Sequence, residues 1–174
     1  MRSVAQRIAL AREGGEVERC HCFRTIGNPT VGQHTFNAVS MLLILCPDPT
    51  INMIKALQFH DMAERFLGDM PATAKWKFPH LKEDYEVCEM RILGENGMLP
   101  ALDEREKMWV HLMDVLDFYM YCHEQMLLGN RYAEQRMLSA RKVLDVTPMP
   151  PAVLSFYRNY HGSLALLSDE ECGI

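Results

Sequence analysis

The chain has no excess of positive charge. Eighteen Lys and Arg stand against 23 Asp and Glu, for a formal net charge of −5. A general nucleic-acid binder needs a basic surface, so long nucleic acid is not an expected partner, while a small basic pocket remains compatible with this balance. Long apolar runs are also missing. The longest, AVSMLLIL at residues 38–45, falls far short of the ~20 residues that cross a bilayer, so no membrane partner is expected. The opening MRSVAQRIALAREGGE contains no apolar h-region of a secretory signal, and the expected location is the cytoplasm. The six cysteines, at 20, 22, 46, 88, 122 and 172, include no CxxC pair. Cys20 and Cys22 form CxC with no second pair at zinc-ribbon spacing, which points to reduced, mostly buried thiols. No repeat, low-complexity tract or linker divides the chain, and its 174 residues suit a single domain, 1–174, with a sizeable core.

Alternating strand patterns and hairpin turns are absent as well, and what remains reads as helix. The spacing predicts a helix over 3–13, with Val4, Ile8 and Ala11 on one face, ending at Gly14-Gly15. A loop with Gly27, Pro29 and Gly32 follows. The next helix is expected from His34 to Leu45, with Phe36, Val39, Leu42 and Leu43 in register. Pro47 and Pro49 stop it, and Asp48 or Thr50 can cap its successor. A central helix over 51–67 carries Ile51, Ile54, Leu57 and Phe66 as core candidates, with Gly68 at its end. Residues 69–78 read as a loop or short helix. Further helices are expected over 81–93, 104–128 (with Leu112, Val115, Leu116, Tyr119 and Met126 as its stripe), 131–145 and 150–167, with prolines 148, 150 and 151 between the last two. The fold class is all-α: a single compact helical bundle.

The polar residues that interrupt these apolar faces carry the chemistry. His60 and Asp61 are adjacent within ALQFHDMAERFLGD. Half-burying two such groups costs free energy unless a charge meets them. His34 lies at a helix start and Asp114 in the middle of the long helix, with Asp117 as a rival three residues on. Two imidazoles and two carboxylates suit Zn, Mn, Co or Fe rather than Ca.

The order His34, His60-Asp61, Asp114 resembles the signature of the HD-domain phosphohydrolase superfamily. Within it the chain looks like bacterial 5′-deoxynucleotidases and phage-type deoxynucleoside triphosphate triphosphohydrolases. HDMAERFLGDMP at residues 60–71 matches that subgroup's HDxxExxxGDxP. The spacing from Arg19 through Arg24 to His34, the match at Lys75, and Leu128-Gly129-Asn130 extend the resemblance over about residues 16–145. It implies a bundle of the HD type, with His34, His60, Asp61 and Asp114 as ligands of a divalent transition metal (Co, Mn, Zn or Fe). A second, Mg-like ion would accompany a triphosphate. Glu64 and Asp69 are the implied catalytic residues. Glu64 is four residues from His60 and so is expected on the same helix face, where it would orient the attacking water and shuttle its proton.

Arg19 and Lys75 are the implied phosphate contacts. Cys20 stands in the substrate region where relatives carry Trp, and Gln33 stands where the deoxynucleotidases carry Glu. Lys75, Lys77 and His111, the last one turn before Asp114, are candidates to meet a polyphosphate tail. The resemblance thus implies a deoxynucleotide substrate attacked at the α-phosphorus. The expected reaction is conversion of a dNTP to deoxynucleoside and triphosphate, with conversion of a dNMP to deoxynucleoside and phosphate as the alternative and a catalytically silent nucleotide-binding module as a third reading. It also implies a homo-oligomer, in the host cytoplasm if the chain is phage-encoded.

Overall fold

Capping residues define where the helices begin. The structure, a computed structural model, describes residues 2–160. Ser3 caps α1 (Val4–Gly15) and Thr30 caps α2 (Val31–Leu45), each in a reciprocal capping box with the Gln three residues on. Thr50, rather than Asp48, caps α3 (Ile51–Phe59). There follow α4 (Glu64–Leu67), α5 (Ala72–Lys77), α6 (Pro79–Glu95), α7 (Glu104–Leu127, capped by Asp103), a 3-10 turn (Arg131–Ala133), α8 (Glu134–Val146) and α9 (Pro151–Tyr160). There is no strand among the described residues, only an isolated antiparallel bridge between Glu18 and Thr30. The fold is all-α. Among the described residues no helix is long and apolar enough to cross a membrane. The expected continuation of the last helix to 167, Cys172, and the outer ends of the 1–174 domain lie outside the described residues.

Helix α7 is the centre of the fold, with α2, α3 and α8 packed on it. Leu42, Met53, Leu57, Leu112, Leu116 and Leu144 interlock there, and the ring of Tyr119 meets Tyr157 and Tyr160 edge-on at 5.7 and 6.1 Å. A second, smaller core joins Leu10, Val31, Met62, Ala63, Leu93 and Met98.

Several expectations change. The central helix is not continuous. It stops at Phe59, passes through a turn at residues 60–63 and restarts at Glu64. The turn tightens because Met62 and Glu64 donate three residues back, to Phe59 and Asp61. Helix α2 begins three residues earlier than expected, since the Thr30 cap outweighs the propensity cost of Gly32. Helix α1 runs through Gly14 and Gly15 because both make close approaches. A Cβ at Gly14 would lie 2.7 Å from Met62 Sδ, and one at Gly32 would lie 3.0 Å from Gly15 O. Of the expected core residues, Val4, Ile8, Phe36, Leu43, Ile51 and Phe66 are exposed. Helical period alone does not decide which side of a short helix its neighbours cover.

Candidate metal centre

Two helices and a turn bring the chemistry together. His34 lies one turn into α2, His60 and Asp61 in the 60–63 turn, and Asp114 and Asp117 on α7. The two imidazole Nε2 atoms are 3.2 Å apart. Asp61 Oδ2 lies 3.2 Å from His60 Nε2 and 3.9 Å from His34 Nε2. Asp114 Oδ1 lies 3.1 Å from His34 Nε2 and 3.7 Å from His60 Nε2. The other ring nitrogens are engaged. His34 Nδ1 is 2.6 Å from Asp117 Oδ2 and His60 Nδ1 is 2.8 Å from the Leu57 carbonyl. Those acceptors can be met only if each Nδ1 bears the proton, a tautomer assigned from the network. Each Nε2 then carries a lone pair directed at the other imidazole and at two carboxylate oxygens.

Such an array repels itself unless a proton or a cation sits within it. Three of the spacings, 3.1, 3.2 and 3.2 Å, match donors about 2.0–2.2 Å from a shared transition ion, which are about 3.0–3.5 Å apart; the other two, 3.7 and 3.9 Å, are slightly longer. His34, His60 and Asp61 form a group that can hold a metal ion, and Asp114 presents an oxygen to both imidazoles. The group is compatible with a divalent ion without selecting among Co, Mn, Zn and Fe.

The electrostatics follow from this crowding. Burial and the Arg19 guanidinium push His34 down, but hydrogen bonds to Asp114 and Asp117 outweigh them and its pKa is raised. Burial pulls His60 down, and Asp114 does not fully offset it. Burial also opposes ionisation of Asp114, yet the two imidazoles hold it well below the usual carboxylate range. Arg19 pairs with Asp61 and so brings positive charge to the edge of the cluster.

Arg19 gets there through its loop. The bridge between Glu18 and Thr30 is flanked by hydrogen bonds from Arg19 N–H to the Pro29 carbonyl, 2.8 Å, and from Val31 N–H to the Val17 carbonyl, 2.9 Å. The buried Gln125 amide brackets the Ile26 backbone at 2.7 and 2.9 Å, and Asn130 donates to the Arg24 carbonyl at 2.8 Å. Arg24 itself lies over the Tyr132 ring. Its place in the motif is therefore one of loop structure.

A second group lies beside the first. Glu64 is buried, and its Oε2 has no hydrogen-bond partner among the described residues. Burial pushes its carboxyl up to about 7, with Asp69 and Glu89 adding to the shift and Arg19 and Lys75 opposing it. The turn at 60–63 separates Glu64 from His60 along the chain, and Arg19, which pairs with Asp61, is the leading charge acting on Glu64 and so links the two groups. Asp69 accepts from the Cys20 N–H at 3.0 Å, with His21 Nδ1 at 3.4 Å. Cys20 is buried in a left-handed conformation, φ 61°, and its thiol is pushed up to about 12 by burial. The Cys20 backbone thus supports Asp69, while its side chain is largely withdrawn from solvent.

The Lys75 ammonium lies over the Tyr85 ring, 5.2 Å from its centroid, and the Tyr85 hydroxyl donates to the Gly68 carbonyl at 2.5 Å. His111 is exposed and pairs with no site group among the described residues. It lies one turn before Asp114 on α7. Lys77 is exposed, over Phe78. Asp117, Tyr85, Glu89 and Gln125 carry parts of the site that no motif marks. The i, i+3 pairing with Asp114 is the sequence signal that points to Asp117.

No family model matches the chain, and no curated protein matches it. Its fold is similar to that in the crystal structure of the PH0347 protein from Pyrococcus horikoshii OT3. The TM-score is 0.71 over 90% of this chain and 97% of that one, at 15% sequence identity. This is a likeness of fold.

Proposed function

We propose that the protein is a metal-dependent phosphohydrolase of the HD type, acting on deoxynucleotides at the α-phosphorus. The observation that carries this reading is the pair of imidazole Nε2 atoms 3.2 Å apart between the Asp61 and Asp114 carboxylates. The motif resemblance supplies the reaction class. A bound divalent ion would supply Lewis acidity toward a phosphoryl oxygen and a water.

The chain's own groups do the rest. Arg19 exchanges its contact with Asp61 for a phosphate oxygen and holds it. Glu64, with a pKa near neutrality, takes the proton of the attacking water. Lys75 acts with Arg19 on the charge that grows on the phosphoryl oxygens. Asp69, tied to the Cys20 N–H, keeps the Arg19 loop against the 68–71 turn.

A second reading concerns the length of the phosphate chain. Expectation favoured a triphosphate, with Lys75, Lys77 and His111 meeting its tail. Lys77 and His111 are exposed, while Arg19 and Lys75 are the cations that act on the buried Glu64, which favours a monophosphate, unless a triphosphate brings its own divalent ion.

The test is product analysis with Mn- or Co-loaded protein and a panel of dNMPs and dNTPs. Deoxynucleoside together with phosphate or inorganic triphosphate is expected, and Asp61→Ala should abolish it. Failure of every metal and substrate combination to yield deoxynucleoside would refute the reading.

A further inference from the structure

Beside the cluster opens a cleft of about 760 Å³, between the outer faces of α2 and α7 and under the 26–30 loop. That size lies within the range of small-molecule sites. Its lining is polarised. Arg19, His34 and Asp117 form one end, at the candidate metal centre. Away from that end the lining holds no cation. Ile26, Phe36, Ile44 and Phe118 supply apolar and aromatic surface, and Asn37 supplies an exposed amide. Tyr121 is another lining residue, with its hydroxyl withdrawn from solvent beside Thr25.

We infer that this cleft receives the nucleobase end of the substrate. The inference rests on the proposed function and deepens it. A nucleotide is anionic at one end and a flat, neutral heterocycle at the other, with donor and acceptor edges. The cleft has a matching polarity: Arg19 lies at the metal-centre end, and beyond it the lining offers no Lys or Arg and one carboxylate, Glu124, which can accept from a base edge. An amide offers one donor and one acceptor to a base edge, and the aromatic walls suit its face. Phosphates beyond the α-position find no Lys or Arg in the cleft beyond Arg19, so a longer phosphate chain lies outside it.

The test combines binding with selectivity. Deoxyadenosine and thymidine, which carry no phosphate, are titrated by calorimetry into the full chain. Saturable binding of at least one is expected, weakened at least tenfold by Ser40→Trp, which fills the cleft, and also by Asn37→Ala, which guards against misfolding of the first variant. In parallel, kcat/KM is measured for a deoxynucleotide and for p-nitrophenyl phosphate, which has no base. The ratio of the first to the second should fall at least tenfold in both variants.

Retained deoxynucleotide hydrolysis with an unchanged ratio overturns the inference and leaves the proposed function standing. If the wild-type protein hydrolyses nothing, the proposed function fails, and the binding titration alone decides the cleft. No nucleoside binding overturns the inference. So does a change of oligomeric state in Ser40→Trp by light scattering without a change in nucleoside affinity, which would make the cleft a contact between copies of the chain.

Discussion

Asp117 Oδ2 lies 2.6 Å from His34 Nδ1, on the side of the ring away from the cluster. Asp114 and Asp117 therefore do different work from one helix. The first presents an oxygen to both imidazole Nε2 atoms, and the second fixes the His34 tautomer so that its Nε2 lone pair faces inward. Outer carboxylates of this kind typically account for 10- to 100-fold in metal affinity. Asp117→Ala is expected to weaken Mn or Zn binding by about that factor, measured by chelator competition. Asp117→Asn should lose less, because its amide oxygen can still accept from Nδ1. Wild-type affinity in Asp117→Ala would show that the contact does not orient a ligand.

Glu64 makes the metal-free protein sensitive to pH. Its folded pKa, about 7, lies above the unfolded value, because burial disfavours the charged form. The folded state therefore holds the proton more tightly. This contribution to stability is full below the unfolded pKa and is lost as pH rises through about 7. Between pH 5 and 8 the wild-type protein should lose about 2–3 kcal/mol relative to Glu64→Gln. Urea unfolding of both metal-free proteins at the two pH values measures this, and parallel pH dependences would remove Glu64 as the source.

Much of the fold was legible because helix punctuation is local. The Thr50 cap, the prolines after Leu45 and before Pro151, and Gly129 after α7 each mark a boundary through their own chemistry. The pattern His34, His60-Asp61, Asp114 could be read before any coordinates, and those side chains come together. The break at residues 60–63 could not be read. Its bonds from Met62 and Glu64 to carbonyls three residues back replace helical ones without a Pro or Gly to announce them. Nor was Tyr85 legible, since its partners Gly68 and Lys75 are set by how α6 lies against the 68–77 segment. The exposed Phe36 and Ile44 have helical spacing like core residues, and only the path of α7 decides that they border a cleft.

Gly14 ties the 60–63 turn to α1. An alanine in a helix interior normally gains about 1 kcal/mol over glycine. Here its Cβ would sit 2.7 Å from Met62 Sδ and 3.3 Å from the Met62 Cα and carbonyl oxygen. Met62 is buried, 1% exposed, and two of the three nearest atoms belong to its backbone, which cannot swing aside as the thioether can. Overpacking of about 1–3 kcal/mol should therefore win, and Gly14→Ala should lower Tm. Because Met62 adjoins Asp61, metal affinity should fall as well. A raised Tm with unchanged affinity would mean that the contact relaxes freely.

Lys75 distinguishes the two substrate readings. If it meets phosphates beyond the α-position, Lys75→Ala should lower kcat/KM for a dNTP at least tenfold more than for the matching dNMP. Equal losses would place its charge at the α-phosphate.

Tyr85 holds two parts of the second group at once. Its hydroxyl donates to the Gly68 carbonyl at 2.5 Å and its ring lies under Lys75. Burial, followed by Glu64, Glu89 and Asp69, raises its pKa, so the hydroxyl stays a donor at all ordinary pH. Tyr85→Phe removes the hydrogen bond and keeps the ring. An unmatched carbonyl there costs about 1–3 kcal/mol, felt at the Gly68-Asp69 turn, and kcat should fall with KM nearly unchanged. Tyr85→Leu also removes the surface under Lys75, so KM should rise too. The split between the two variants is the informative result, because general destabilisation would lower both activities in proportion to folded fraction and leave KM alone in each. Identical KM values in Tyr85→Phe and Tyr85→Leu would mean that the ring does not position Lys75.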